Sequence, residues 1–130
     1  MELKVDIASD TPPSRQLVEA FLDAVAAGAL APGERLLSVR ALAAEALVNP
    51  NTAGKAYRDL EALGVVAGRN GLGVFVTDEG PRIARELRSR ATLEAFERAA
   101  AEAVRAGHDP ETLRNRLDVI AALKAAGDES

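Results

Sequence analysis

Proline and glycine residues punctuate the first part of the chain and divide it into short segments. Proline is favoured in the first turn of a helix, glycine just past its last turn, and Asn-Gly in tight hairpin turns. The spacing predicts three short helices followed by a β-hairpin. The dividing positions are Pro12-Pro13, Pro32-Gly33, Asn49-Pro50, Gly64 and Asn70-Gly71.

The first two predicted helices each carry an apolar stripe. One helix is expected to follow Pro13 and to stop at Gly28. The next is expected to begin after Ser38, whose hydroxyl can cap the free amides of a helix start, and to end near Leu47. The stripes are Leu17, Val18, Phe21, Leu22 and Val25 in the first helix and Val39, Leu42, Ala43 and Ala46 in the second.

A third helix is predicted to begin at Asn49-Pro50 and to run to about Leu63. Asn51, Lys55 and Arg58 follow each other at spacings of four and three and therefore share one face of it. The apolar residues expected on its other face are Ala53, Ala56, Leu60 and Leu63.

The hairpin and the two ends of the chain complete the predicted organisation. β-prone runs at 65–67 and 74–76 flank the Asn-Gly turn, and Leu3, Val5 and Ile7 alternate with polar residues, which indicates a short strand or an extended arm over 1–11. A long helix over 81–106 and a last helix from Asp109-Pro110 to Gly127 should follow.

Two amphipathic helices cannot bury their apolar faces alone, so this tail is expected to pack on itself, on the first domain or on another copy. We therefore expect one domain over 1–78 and a helical dimerisation or effector tail over 79–130. The residues expected to join two copies are Leu87, Leu93, Phe96, Leu113, Leu117 and Ile120.

Composition favours a mainly α fold and excludes several kinds of chemistry. Hydrophobic residues make up 48% of the 130 but aromatic ones only 3%, so small aliphatic side chains between helices must supply the core. The absence of cysteine excludes disulfides, thiolate metal sites and cysteine nucleophiles. The acidic first residues do not resemble a signal peptide and no stretch is long enough for a membrane span, so a soluble, cytoplasmic protein without a membrane partner is expected.

The formal net charge of −4 conceals an uneven distribution. Residues 35–76 hold five basic and three acidic side chains, whereas acidic side chains outnumber basic ones on both flanks. A weakly basic face on an acidic body is compatible with DNA binding of modest non-specific affinity.

A short helix, a brief turn and a second helix are the parts of a helix-turn-helix, whose second helix presents its first residues to the major groove. Asn51, Thr52 and Lys55 stand there: an Asn amide can bond adenine, Thr can contact thymine or phosphate, and Lys can reach guanine or the backbone. Taken singly these are also ordinary first-turn residues and, with Arg58, a solvated face. The pattern as a whole favours a DNA interface.

Two further positions add to that interface, each with an ordinary alternative. Arg40, near the capping Ser38, is placed to clamp a phosphate or to be an exposed charge. Arg69, Asn70 and Gly71 at the hairpin tip suit a wing, or an ordinary turn that needs Asn-Gly for its backbone angles.

At this point the residues resemble the GntR family of bacterial transcription factors. The resemblance lies in Leu30–Ala43 (LAPGERLLSVRALA), Val48–Thr52 (VNPNT), Ala56–Gly64 (AYRDLEALG) and Gly71–Val76 (GLGVFV), together with Pro13–Leu17 (PSRQL). Within the family, the VNPNT run and the two-helix tail are similar to the YtrA subfamily, whose members are dimers that often repress operons for membrane transporters.

The resemblance implies a winged helix-turn-helix and a dimeric repressor on a pseudo-palindromic operator. It implies DNA contacts at Arg40, Asn49, Asn51, Thr52, Lys55, Arg69, Asn70 and Gly71, to which Ser38 and Arg58 are added here. Leu37 and Gly54 depart from the family, which usually has proline and a basic residue there. The partners it implies are double-stranded DNA, a second copy and an unidentified small-molecule effector.

Two other classes of function share features with this sequence. An enzyme is disfavoured because Gly71-Leu72-Gly73 lacks the third glycine and the lysine of a phosphate-binding loop, and because the single histidine, His108, precedes a helix cap. No cofactor, metal site or catalytic residue is expected. The alternative is a winged-helix module that binds proteins and has lost DNA binding, which the acidic charge keeps open.

Overall fold

The computed structural model describes residues 1–129, with side chains to residue 127. It is mainly helical with one hairpin, as predicted. Two compact units are present, one over Met1–Arg90 and one from Ala91 onwards. The elements are α1 (Pro13–Ala26), α2 (Val39–Ala46), α3 (Pro50–Ala62), β1 (Val66–Arg69), β2 (Gly73–Val76), α4 (Gly80–Arg105) and α5 (Pro110–Glu129).

The arm before α1 forms no strand, so the predicted strand is wrong; residues 1–6 have no regular structure, and a turn and bends follow over 7–11. Gln16 anchors it, because its side-chain amide donates to the carbonyls of Asp6 and Thr11 and accepts from the Asp6 amide. Leu3 and Val5 pack against the core. Ile7 instead lies in a turn and is exposed, because the alternation ends before it.

The two caps predicted from sequence begin α2 and α3. The Ser38 hydroxyl accepts from the Ala41 amide at 3.1 Å, and the Asn49 side chain accepts from the Asn51 amide at 2.8 Å. Between the helices the chain turns through Leu47, the one non-glycine residue with a positive φ (56°) in the described chain. These local interactions fix where each helix of the helix-turn-helix starts.

The hairpin is extended by a third, short segment. β1 and β2 pair antiparallel, with Val66 opposite Val76 and Arg69 opposite Gly73. Arg35 forms a bridge to Phe75. Backbone amides of Gly33 and Leu36 donate to Val76 and Val74, so the segment before α2 lies along β2.

A single apolar core holds the first unit together, and α3 contributes Tyr57 to it rather than Leu63. Leu63 caps the end of α3 and is exposed, which corrects the predicted face, because Tyr57 lies on the same helical stripe as Ala53 and Leu60. The Tyr57 ring meets Phe21 edge to face with centroids 5.5 Å apart. The largest fully buried side chains are Leu17, Leu22, Leu42, Leu60, Val18, Val25, Val65 and Val66.

The first turns of α4 belong to this unit. Gly80 lies against Val65, the residue before β1, where an added Cβ would come within 2.8 Å of the Val65 carbonyl oxygen. Ala84 is buried, and Ile83 and Leu87 pack against the core. The unit therefore ends later along the chain than the predicted division at residue 78.

The last helix does not end at Gly127, contrary to the prediction. α5 continues to Glu129, and Gly127 does not take the left-handed conformation with which a glycine terminates a helix.

Among the described residues, no helix is long and apolar enough to cross a membrane.

Candidate nucleic-acid interface

The exposed face of α3 begins at its cap. Asn49 uses its side-chain oxygen to hold the helix start, which leaves its amide nitrogen to donate to a ligand. Asn51, one residue into the helix, is exposed, and Thr52 beside it is half-buried. The first turn of α3 thus offers one free carboxamide and one hydroxyl.

Two cations follow on the same face of α3. The Lys55 ammonium pairs with Asp59 one turn later, at 2.9 Å, in an exposed ion pair of the kind that contributes about 0.3–0.5 kcal/mol. Arg58 has no ion pair within the described part of the chain. Its guanidinium folds back towards Gly54, where an added Cβ would lie 3.3 Å from the Arg58 Nη1 atom.

Tyr57 ties α3 to the segment that precedes α2. Its hydroxyl donates to the Leu37 carbonyl at 2.7 Å, and burial raises its pKa to about 12. Next to this anchor Ser38 caps α2, and Arg40 is exposed in the first turn. A residue that the sequence reasoning did not single out therefore links α3 to the segment before α2.

The hairpin tip is exposed and carries one predicted cation. The Arg69 guanidinium lies 4.8 Å from the centroid of the Phe75 ring, a cation–π contact that orients it across the sheet. Asn70 and Gly71 stand at the centre of a turn closed by the Leu72 amide, which donates to the Arg69 carbonyl at 2.9 Å, and Gly71 has a φ of +73° that an L-residue rarely adopts. The predicted Asn-Gly turn is confirmed.

Arg35 is a second cation of the wing that the sequence reasoning missed. A Cβ added to Gly73 would lie 2.8 Å from the Arg35 Nε atom, so the side chain rests directly on the Gly73 backbone. Because paired and alternate residues of a sheet share a face, Arg35, Arg69, Gly73 and Phe75 lie on one side of it. Only the long-range pairing with β2 reveals this position.

The predicted DNA-contacting residues all fall in the first unit. They lie on the starts of α2 and α3, on the exposed face of α3 and on the hairpin.

Of the six residues predicted to join two copies, Leu87 lies apart from the others, half-buried against the core of the first unit.

The other five residues predicted to join two copies lie in the second unit. An apolar groove lies open on the surface of that unit. The groove has a volume of about 430 Å³. Phe96 and Leu117 in it are 49% and 46% exposed. Its lining comprises Phe96, Ala99, Ala100, Ala103, Leu113, Arg114, Arg116, Leu117 and Ile120.

Comparisons with known proteins agree with this architecture. The family profile described as bacterial regulatory proteins, gntR family, matches residues 13–76, which run from α1 to the end of β2. The chain is 29% identical over 128 residues to the HTH-type transcriptional repressor YtrA of Bacillus subtilis, covering 98% of both chains.

Two solved structures are similar as well. One is a GntR family transcriptional regulator from Listeria monocytogenes, with a TM-score of 0.74 and 27% identity over 88% of this chain and 97% of that one. The other is YtrA from Sulfolobus acidocaldarius, a GntR-family transcription factor, with a TM-score of 0.57 and 32% identity over 70% of this chain and 97% of that one.

These relatives are transcriptional regulators rather than enzymes. The resemblance found in the sequence is confirmed. The chain belongs to the GntR family of bacterial regulatory proteins.

Proposed function

We propose that the chain is a sequence-specific DNA-binding regulator that acts as a dimeric repressor on a pseudo-palindromic operator. The observation that carries the proposal is the exposed face of α3, where Asn51 is exposed beside a capped helix start and Arg58 has no ion pair among the described residues. Side chains at the start of such a helix are the ones that reach base edges in the major groove.

Base reading is assigned to residues in the first three turns of α3. The Asn51 carboxamide can bond adenine through N6 and N7 together, and the Arg58 guanidinium can bond guanine through O6 and N7. Lys55 can exchange its ion pair with Asp59 for a contact with a phosphate. This exchange costs little free energy, because the Lys55–Asp59 ion pair is exposed. Sequence preference then resides in Asn51 and Arg58.

Phosphate contacts fall to residues around that helix. Arg40 and the wing residue Arg69 are exposed, and Arg35 joins them on the outer face of the sheet. Each neutralised phosphate releases counterions and steepens the salt dependence of binding. The modest number of cations predicts a shallow salt slope and gives dimerisation a large share of the affinity.

Dimerisation falls to the uncovered groove of the second unit. Apolar side chains of this size exposed together on two helices need a cover, and a second copy supplies an identical apolar face. Repression would follow from occlusion of the polymerase, and B. subtilis YtrA carries the designation of repressor. Regulation of a transporter operon and response to a small-molecule effector belong to the same proposal.

Titration of a fluorescent DNA fragment from upstream of the protein's own gene tests this function. At low salt, tight binding that a shuffled fragment does not reproduce is expected. Asn51→Ala should lose about 1–3 kcal/mol on the upstream fragment and much less on the shuffled one, since base contacts carry the specificity. Arg105→Ala, which removes an exposed cation at the end of α4, is the matched control and should bind as the unmodified chain does.

Absence of binding at low salt, where charge attraction is strongest, would overturn the proposal. It would leave the protein-interaction module as the remaining reading of the winged unit.

A further inference from the structure

Gly54 occupies an unusual place, the interior of the helix that carries the proposed reading face. Its φ is not in the positive range, so the backbone there does not require glycine. Glycine is a much poorer helix residue than alanine. Something other than helix formation must account for the missing side chain.

The space above Gly54 is occupied rather than empty. A Cβ added there would lie 3.3 Å from Nη1 of Arg58 and 4.0 Å from Cγ1 of Val39, at the start of α2. A contact of 3.3 Å is tighter than most Cβ contacts, so the guanidinium would have to shift by a few tenths of an ångström. The Arg58 side chain therefore rests on a surface that exists because residue 54 has no Cβ.

The Arg58 side chain runs back along α3 towards the residues proposed to read bases. Side chains of a helix point towards its N-terminus, so the guanidinium comes to the level of Gly54, one turn closer to Asn51. The neighbouring ammonium of Lys55 is engaged by Asp59 at 2.9 Å. Within the described chain Arg58 has no such partner, and it is the free cation of this part of α3.

We propose that Gly54 is a positioning residue for DNA recognition, kept without a side chain so that Arg58 lies across α3 and presents its planar guanidinium beside Asn51. This rests on the proposed function and deepens it, because it assigns a specificity role to a position that cannot itself bond a base. The fork of a guanidinium carries recognition only when it is held in place. Because Gly54 has no Cβ, it provides the surface on which the Arg58 guanidinium rests.

A double-mutant cycle with Gly54→Ala and Arg58→Ala in the full chain tests the proposal, with affinity for the upstream fragment as the readout. Gly54→Ala is expected to raise the melting temperature by about 4–8 °C, because alanine is the better helix residue, and yet to weaken binding about tenfold. Arg58→Ala should weaken binding to a similar degree. The double variant should bind no worse than Arg58→Ala alone, because Gly54 acts through that side chain.

Two further variants sharpen the cycle. Gly127→Ala also replaces a glycine within a helix, where an added Cβ meets nothing within 4 Å, and should leave DNA affinity unchanged. Arg58→Lys keeps the charge and loses the fork, so it should retain non-specific affinity and lose sequence preference.

Each outcome decides the matter. If Gly54→Ala weakens binding equally with and without Arg58, the glycine serves direct approach of the DNA backbone and the proposal is wrong. Unchanged binding by Gly54→Ala would also overturn it. If the unmodified chain binds no DNA at low salt, the proposed function itself fails, a result distinct from an additive cycle on a chain that binds.

Discussion

The two units of this protein use the same kinds of aliphatic side chain in opposite ways. In the first unit, Leu17, Leu42 and Leu60 have almost no exposed surface. In the second, through residue 127, no side chain is fully buried, and Leu117 and Ile120 expose 46% and 63% of theirs. The first unit therefore carries its own core, whereas the second displays apolar residues that a core would contain.

The difference teaches where stability and assembly reside. A winged unit with a closed core can hold Asn51 and Arg58 in fixed positions without help. A pair of helices with an open groove gains most from a partner, because burial of apolar surface contributes roughly 25 cal/mol per Å². The proposed recognition and the proposed dimerisation therefore belong to different units, and each of the following changes tests one of the two.

The largest effect is expected from Leu60→Ala, which opens a cavity in the closed core. It should lower the free energy of unfolding by about 2–5 kcal/mol, measured by urea denaturation. Leu117→Ala is the matched change in the second unit and should cost about 0.5 kcal/mol or less in dilute protein, because its side chain is already half exposed. If Leu60→Ala and Leu117→Ala lowered the free energy of unfolding equally in dilute protein, the difference between the closed core and the open groove would be contradicted.

A charge in the groove is expected to have the next largest effect. Phe96→Glu should weaken self-association at least about tenfold, since a carboxylate would be buried without a partner between two apolar faces. Ala101→Glu adds the same charge to an exposed position of α4 outside the groove and serves as the control. Sedimentation over a range of concentrations measures both, and equal association of the two variants would remove the groove from the interface.

Loss of the Tyr57 hydroxyl should have a moderate effect on the first unit. Tyr57→Phe removes the hydrogen bond to the Leu37 carbonyl and should cost about 0.5–1.5 kcal/mol at neutral pH. Because the folded pKa is raised from 10.0 to about 12, the stability that Tyr57 contributes is complete below pH 10 and falls as pH rises towards 12.

Denaturation of Tyr57→Phe at several alkaline pH values checks this. The difference in stability between Tyr57→Phe and the unmodified chain should shrink from pH 10 upwards. A difference that stays constant over that range would mean that the hydroxyl titrates normally in the folded protein.

The smallest effect concerns the turn between α2 and α3. Leu47 is 90% exposed and holds a φ of 56°, a conformation that costs a branched aliphatic residue about 1 kcal/mol. Leu47→Gly should therefore raise the melting temperature slightly or leave it unchanged, with DNA affinity preserved. Leu37→Gly, at an exposed position before the Ser38 cap, is the control and should gain nothing. A clear loss of stability for Leu47→Gly would show that its side chain makes contacts in the folded state.

Local chemistry was readable from the sequence and long-range packing was not. The caps Ser38 and Asn49 act on amides two or three residues away, so the starts of α2 and α3 could be predicted. Arg35 meets its partner Gly73 only through the pairing with β2, and Tyr57 bonds a carbonyl in another segment. Such contacts depend on the fold and leave no local signal.

The same distinction explains the two errors in the helices. Leu63 fits an apolar spacing, but α3 ends before it and Tyr57 fills the core instead. Gly127 looked like a stop signal, yet a glycine ends a helix only where the chain turns into the left-handed region.

The most direct test of the division between the units is the mass of the DNA complex. Sedimentation of the full chain at micromolar concentration, with and without the fluorescent upstream fragment at low salt, gives the number of chains in each species. Two chains in free solution and two chains on each duplex are predicted. A chain that stays monomeric and binds singly, or a dimer that binds no DNA, would contradict the assignment of assembly to the second unit and recognition to the first.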